Sequence, residues 1–351
     1  MNIGPFGELV KWSVAHCVIA ASSSTLIAEV NPVGIQLFYT AADANYFNQA
    51  AVLVKSLSAT QLHKTELIVF GNGWNREQVS QLKALCFDNV TVDVMPVDRN
   101  NYSGIKLSHG FPLATAYNVI APKFLLQERD QAIYVDADVV VLDDFGDVWD
   151  QELISPVSGV IDSHVGYIGF PSMWRPWREL GANPKAPYLN TGLLKINLNM
   201  WREEKITERC LDLLTSYELP CVDQDALNLI INGKFSYMHP RYNLMPYHLM
   251  KKLRTVDVLE DPSHIQGAIS DPAMIHFHRS FLGKPWVLGC THPARQLWTS
   301  IADEVSPKWR KSIDLMGTLR QTAAKYAKLS VLDESTQSLS GLRASSMSSE
   351  K

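Results

Sequence analysis

From residue 35 onward, short apolar runs of strand character alternate with segments whose apolar positions recur at helical spacing. Residues 35–40, Ile35-Gln-Leu-Phe-Tyr-Thr40, predict a strand followed by polar punctuation, and residues 47–57 carry a helical apolar pattern. Residues 66–70 predict a second strand, closed by Gly71-Asn-Gly73. A helix over 78–85 and an alternating strand over 90–97 follow. Residues 115–126 predict a helix that contains Pro122, so kinked or starting late. The run Ala132-Ile-Tyr-Val-Asp136-Ala-Asp138-Val-Val-Val-Leu142 reads as one buried apolar strand carrying two carboxylates. Strands that alternate with helices in this way argue for an α/β fold with a mainly parallel, doubly wound sheet and helices on both faces.

The pattern changes over 155–187, which is rich in Gly, Pro, Trp and Tyr and has little periodicity. A loop of that length inside a domain is expected to be a lid or a binding loop. Strand character returns over 193–197, helical character over 200–217 and 224–231, and a last strand is expected over 273–278. Residues 1–34 read as an N-terminal extension, 35–290 as the main domain, 291–330 as a helical C-terminal segment, and 331–351 as a Ser-rich disordered tail.

Composition narrows the class. The chain has 351 residues, 46% hydrophobic and 19% charged, which is enough to bury a sizeable core. A net charge of -4 lacks the basic footprint of a nucleic-acid binder. The five cysteines stand singly, and none has metal-ligand spacing, which favours a reducing compartment over a disulfide framework or a zinc site. No segment reads as long and apolar enough to span a bilayer, and 14–21 is too short and interrupted by His16 for a secretory signal. The expected location is therefore cytoplasmic, with peripheral membrane contact through the basic segment 308–328 as one expectation for that segment. Its apolar side, Trp309, Ile313, Met316 and Leu319, would either meet an anionic membrane or pack on the main domain.

The candidate chemistry centres on Asp136 and Asp138. Alternating side chains would put both carboxylates on one side of the strand. Two acids in an apolar run are costly to bury without a positive partner, and a hard divalent cation is the simplest one. A turn, or the attacking carboxylate of a phosphatase, is the alternative.

Three later clusters can be aimed at the same cleft. Tyr188-Leu-Asn190-Thr-Gly192 offers an amide suited to hydroxyls and a glycine that admits close approach to a ligand, unless it is an ordinary turn. In Asp223-Gln224-Asp225, Asp223 either caps the following helix or joins Gln224 and Asp225 in facing the ligand. In Met274-Ile-His276-Phe-His278, His276 and His278 share a strand face, and a neutral imidazole there is a suitable third ligand for Mn2+, unless it is a structural histidine at a strand end. Gly283 and Pro285 shape a loop carrying Lys284, a point charge for a phosphate. Neither a P-loop nor a GxGxxG fingerprint occurs.

Together these segments resemble glycosyltransferase family 8, retaining enzymes that include glycogenin and bacterial lipopolysaccharide galactosyl- and glucosyltransferases. The resemblance runs through Ala41-Ala-Asp43-Ala-Asn45-Tyr46, Tyr134-Val-Asp136-Ala-Asp138, Leu189-Asn190-Thr-Gly192 and Asp223-Gln224-Asp225-Ala-Leu-Asn228. It continues in Arg241-Tyr-Asn243-Leu-Met-Pro246, then in His276 with Gly283-Lys284-Pro285-Trp286.

It implies a GT-A, Rossmann-like fold and transfer of glucose or galactose from a UDP-sugar to a glycan or lipid-linked saccharide. By the same resemblance, Ala41, Asp43 and Asn45 would meet the uridine. Asp136, Ala137, Asp138 and His276 would hold Mn2+ or Mg2+ and the diphosphate, with Gly283 and Lys284 beside a phosphate. Asp162, Asn190, Asp223 and Gln224 would surround the sugar, with Asp223 and Gln224 as the catalytic pair.

Where the family carries an Arg that contacts the donor, Asn118 or Val119 falls here, with Lys123 nearby. The stretch from His276 to Lys284 is longer than in bacterial relatives, and 163–187 matches no family segment. Front-face attack assisted by the leaving phosphate is expected over a covalent intermediate on Asp223. A self-glucosylating primer, a phosphatase of the haloacid-dehalogenase type and a non-catalytic binding module are the rival readings.

Overall fold

The computed structural model describes residues 34–108, 110–125, 129–171, 176–250, 259–306 and 309–312. The extension expected over 1–34 lies outside them save for residue 34, as do the tail 331–351 and the basic segment 308–328 save for 309–312.

Strands β1 (Gln36–Ala41), β2 (Thr65–Phe70) and β3 (Val90–Met95) form in register and in parallel, separated by α1 (Phe47–Thr60) and α2 (Arg76–Ala84). The break expected around Pro122 is more complete than a kink. Only α3 (Tyr117–Ile120) is α-helical there, flanked by 3-10 turns at Leu113–Ala116 and Ala121–Lys123. The prolyl nitrogen supplies no donor to an α-helical ladder.

The long apolar run over 132–142 is two strands rather than one. β4 (Gln131–Val135) joins the main sheet beside β1, whereas β5 (Val139–Val141) belongs to a separate two-stranded sheet. The chain changes sheets across residues 136–138, so both aspartates sit on a bend.

Next come α4 (Gly146–Asp150), β6 (Val157–Ile161) and β7 (Leu189–Asn197), which runs antiparallel to both β4 and β6. Residues 189–192, readable as a turn, are strand. The helix expected over 200–217 is divided into α5 (Leu198–Glu203) and α6 (Ile206–Ser216), because Lys205 adopts left-handed backbone angles with φ of 52°. After α7 (Val222–Ile231), β8 (Ser236–Tyr237) adds to β6, and α8 (Pro262–Ser270) leads to β9 (Met274–His276). β9 pairs antiparallel with β5 and stops at His276, so His278 lies beyond the strand. α9 (Arg295–Val305) is the last α-helix described.

The main sheet has the order β3-β2-β1-β4-β7-β6-β8, mainly parallel. Its strands feed two cores because their side chains alternate. Leu37, Tyr39, Ala132 and Tyr134 face a core shared with α3, α6, α7 and α9. Phe38, Ile133 and Val135 face the other, shared with α1 and α2. Helices therefore cover both faces, and the carboxyl ends of β1 and β4 open between them.

Trp309 does not lie on a free apolar side. It is buried, packs edge-on against Trp298 of α9 at 5.2 Å and donates its indole N–H to Asp303. Ile313, Met316 and Leu319 lie outside the described residues.

Candidate active site

The bend between β4 and β5 and the end of β9 bring three ligand-type side chains together. His276 Nε2 lies 3.4 Å from Asp136 Oδ2 and 3.3 Å from Asp138 Oδ1. The convergence expected of a strand pleat is thus present, but it comes from a change of sheet. The pairing of Val139 with His276 sets the register.

Hydrogen bonding assigns the imidazole tautomer. Asn243 Nδ2 donates to Asn190 Oδ1 at 2.9 Å, which turns Asn243 Oδ1 toward His276 Nδ1 at 3.0 Å. His276 Nδ1–H therefore donates to Asn243. In the neutral form of the ring Nε2 is buried, carries no proton, and faces two carboxylate oxygens. Three electron-rich atoms within 4.8 Å of one another fit a cation. Burial alone would lower the imidazole pKa, but the Asp138 carboxylate outweighs it, and with Asp136 raises the value to about 9. The negative charge that favours a proton there would equally favour a cation.

Lys284 reaches the other oxygen of Asp138 at 2.5 Å and lies 3.3 Å from the Tyr46 hydroxyl. Burial would raise the Asp138 pKa, yet Lys284 and then His276 hold it well below the usual carboxylate range. Tyr46 ends the Ala44–Tyr46 turn after β1, so Lys284 connects the loop after β9 to the segment carrying Ala41, Asp43 and Asn45. In that segment Asp43 Oδ1 accepts the Asn72 backbone N–H at 2.8 Å, and Asn45 is exposed. The crossing is tight: a Cβ at Gly71 would lie 1.8 Å from the Ala42 carbonyl oxygen.

A second polar wall lies on β7 and α7. Asp162 accepts the backbone N–H groups of His164 and Val165, the Asn190 amide at 2.9 Å and the Gln224 amide at 3.2 Å. Gln224 Oε1 in turn accepts Asn190 Nδ2 and the Thr191 N–H, each at 3.1 Å. Asn190 is therefore bonded on both sides within the protein. Gly192 makes room for the His276 ring, which is its close neighbour in the protein.

Asp223 is not the helix cap. Cys221 occupies that position, and Asp225 reaches back to its N–H at 2.7 Å while accepting the Tyr188 hydroxyl at 2.5 Å. Asp225 is fully buried by these bonds and does not share a free face with Gln224. Asp223 Oδ2 instead accepts Asn118 Nδ2 at 2.5 Å and Thr191 Oγ1 at 3.1 Å. Burial, then the charge of Asp136, pushes its pKa up to about 8. Of the residues near the family's Arg position, Asn118 reaches this wall. The Lys123 ammonium lies over the Tyr102 and Phe124 rings.

Sequence reasoning assigned no role to Asn243, Tyr134, Thr191 or Tyr46. All four stand inside motifs already recognised, but their roles are pairwise contacts that residue type alone does not show.

Comparisons with known proteins bear on the family and the fold. The model of "Glycosyl transferase family 8" matches residues 38–288. General stress protein A of Bacillus subtilis (strain 168) is 27% identical over 262 residues, covering 72% of this chain and 88% of that protein. Lipopolysaccharide 1,2-glucosyltransferase of Escherichia coli (strain K12) is 23% identical over 283 residues, covering 76% and 77%. The crystal structure of galactosyltransferase LgtC in complex with donor and acceptor sugar analogues aligns with a TM-score of 0.64 at 22% identity. That alignment covers 79% of this chain and all of that one, and it shows a shared GT-A fold. The phosphatase reading falls with the family match. The chain belongs to glycosyltransferase family 8.

Proposed function

We propose that this glycosyltransferase moves glucose or galactose from a UDP-sugar to a hydroxyl of a glycan or lipid-linked saccharide, with retention, using Mn2+ held by Asp136, Asp138 and His276. The carrying observation is the buried Nε2 of His276 facing two carboxylates, with Lys284 on the same Asp138. A bound cation would act there as a Lewis acid toward the charge left on a departing diphosphate. Lys284 would add a second positive charge. Ala41, Asp43 and Asn45 would meet the uridine, while Ala137 and Gly283 would lie beside the diphosphate. Asp162, Asn190, Asp223 and Gln224 would bound the sugar.

Two features favour front-face attack. Asp223 is held by Asn118 and Thr191 with its pKa raised, which makes it a weak nucleophile at neutral pH. Gln224 is neutral, and its oxygen is already engaged. Both would then act by positioning the sugar and bearing on its developing charge. Among the described residues no helix is long and apolar enough to cross a membrane.

The test is hydrolysis of UDP-glucose and UDP-galactose without acceptor, with Mn2+, Mg2+ or chelator, and Asp138→Asn as control. Metal-dependent release of UDP that the variant loses supports the reading. Full activity in the variant, or activity unaffected by chelator, overturns the metal assignment. Hexose added to the protein itself, read by intact mass, would favour the self-glucosylating alternative.

A further inference from the structure

Tyr134 is the last aromatic side chain of β4 before the bend. Its ring is 2% exposed and packs on Tyr39 with centroids 5.0 Å apart. Its hydroxyl donates to Asp136 Oδ1 at 2.5 Å. The other oxygen of the same carboxylate, Oδ2, is the one facing His276 Nε2. Asp136 is the most exposed of the three ligand-type residues, with 32% of its side chain accessible against 10% for Asp138 and 2% for His276. Asp138 is already restrained by Lys284 and His276 by Asn243. Tyr134 supplies the corresponding restraint for the carboxylate with the most freedom.

We propose that Tyr134 is a positioning residue for the cation site: its hydroxyl occupies one oxygen of Asp136 so that the other is presented to the metal in a single orientation. The proposal rests on the metal reading above. The restraint is rigid because the phenol is anchored from behind. Tyr39 packs against it with the rings tilted 52° apart, a contact that does not involve the Tyr39 hydroxyl, which donates to the Asn118 carbonyl at 2.9 Å. Outer-shell partners of this kind typically change metal affinity about 10- to 100-fold when removed.

The experiment measures Mn2+ binding to the full chain without donor, from the free Mn2+ signal in electron paramagnetic resonance. It compares wild type, Tyr134→Phe, Tyr39→Phe and Asp138→Asn. Tyr134→Phe removes only the hydroxyl, and its melting temperature in chelator reports whether the fold is kept. The expected result is an Mn2+ dissociation constant raised about tenfold or more in Tyr134→Phe, with kcat at saturating Mn2+ near wild type. Tyr39→Phe, which removes a nearby hydroxyl that does not touch Asp136, should leave Mn2+ affinity unchanged.

Wild-type binding that is unchanged in Tyr134→Phe overturns the proposal alone. An equal loss in Tyr39→Phe also overturns it, because packing would then be responsible. Absence of binding to the wild type, or binding that Asp138→Asn leaves intact, overturns the metal reading and this proposal with it.

Discussion

The His276 ring occupies the space that a side chain at Gly192 would need. A Cβ built on Gly192 would lie 2.1 Å from Cε1 and 2.4 Å from Nδ1 of that imidazole. The same glycine accepts the Asp136 backbone N–H through its carbonyl at 2.9 Å. One position on β7 thus places two of the three candidate metal ligands, one by hydrogen bonding and one by yielding space.

Gly192→Ala should displace His276 and break its bond to Asn243. Overpacking of this kind costs about 1–3 kcal/mol. Metal affinity should fall more sharply than stability does. Mn2+ titration alongside urea unfolding checks this, and wild-type affinity in the variant would refute the assignment of His276 as a ligand.

A metal bound as proposed would share Asp138 with Lys284. In the metal-free chain the ammonium neutralises that carboxylate at 2.5 Å, and it also repels an arriving cation. Lys284→Met should therefore bind Mn2+ alone more tightly, by about tenfold if a charge-assisted bond is the barrier. It should bind UDP more weakly, because the phosphate loses a cation. Calorimetric titration with Mn2+ and then with UDP separates the two effects. Weaker binding of both would mean that Lys284 supports the metal site instead of competing for it.

Asp223 makes stability depend on pH. Its carboxyl titrates near 3.9 in an unfolded chain but is pushed up to about 8 in the fold. Between those values the native chain retains a proton that the unfolded chain has released, so stability falls as pH rises. Below the lower value both states are protonated and the effect vanishes. Asp223→Asn should gain stability over wild type as pH increases from 5 to 8. Melting temperatures of both proteins in chelator at those pH values test it, and a constant difference would show that Asp223 is ionised in the fold.

Trp309 is core, so its loss should cost stability. Replacing a buried Trp by Ala typically costs about 3–5 kcal/mol. Trp309→Ala should lower the midpoint of urea unfolding, and an unchanged midpoint would show that the contact with Trp298 contributes nothing.

Much of the fold was legible along the chain. The alternation of strand and helix up to residue 97 corresponds to β1, α1, β2, α2 and β3 within a few residues. Parallel strands buried on both faces must be apolar on both sides, and such runs stand out. The boundaries that failed were decided by geometry that leaves little trace in composition. Residues 132–142 are uniformly apolar apart from the two aspartates, yet the chain changes sheets at those residues. Nothing in the residues over 200–217 marks the left-handed turn at Lys205 that divides the helix.

By itself, the sequence determined the α/β class, the family motifs and the residues offering metal-ligand chemistry, because these depend on residue type and local periodicity. Only the tertiary structure decided how those residues are used. Asp225, and not Asp223, supports the start of α7, because α7 packs on β7 with Asp225 beside Tyr188. Gly192 is required by His276, which lies 84 positions further along, and Asp223 is held by Asn118, 105 positions before it. Such contacts arise from the meeting of β4, β7, β9 and α7, and a one-dimensional pattern carries no term for them.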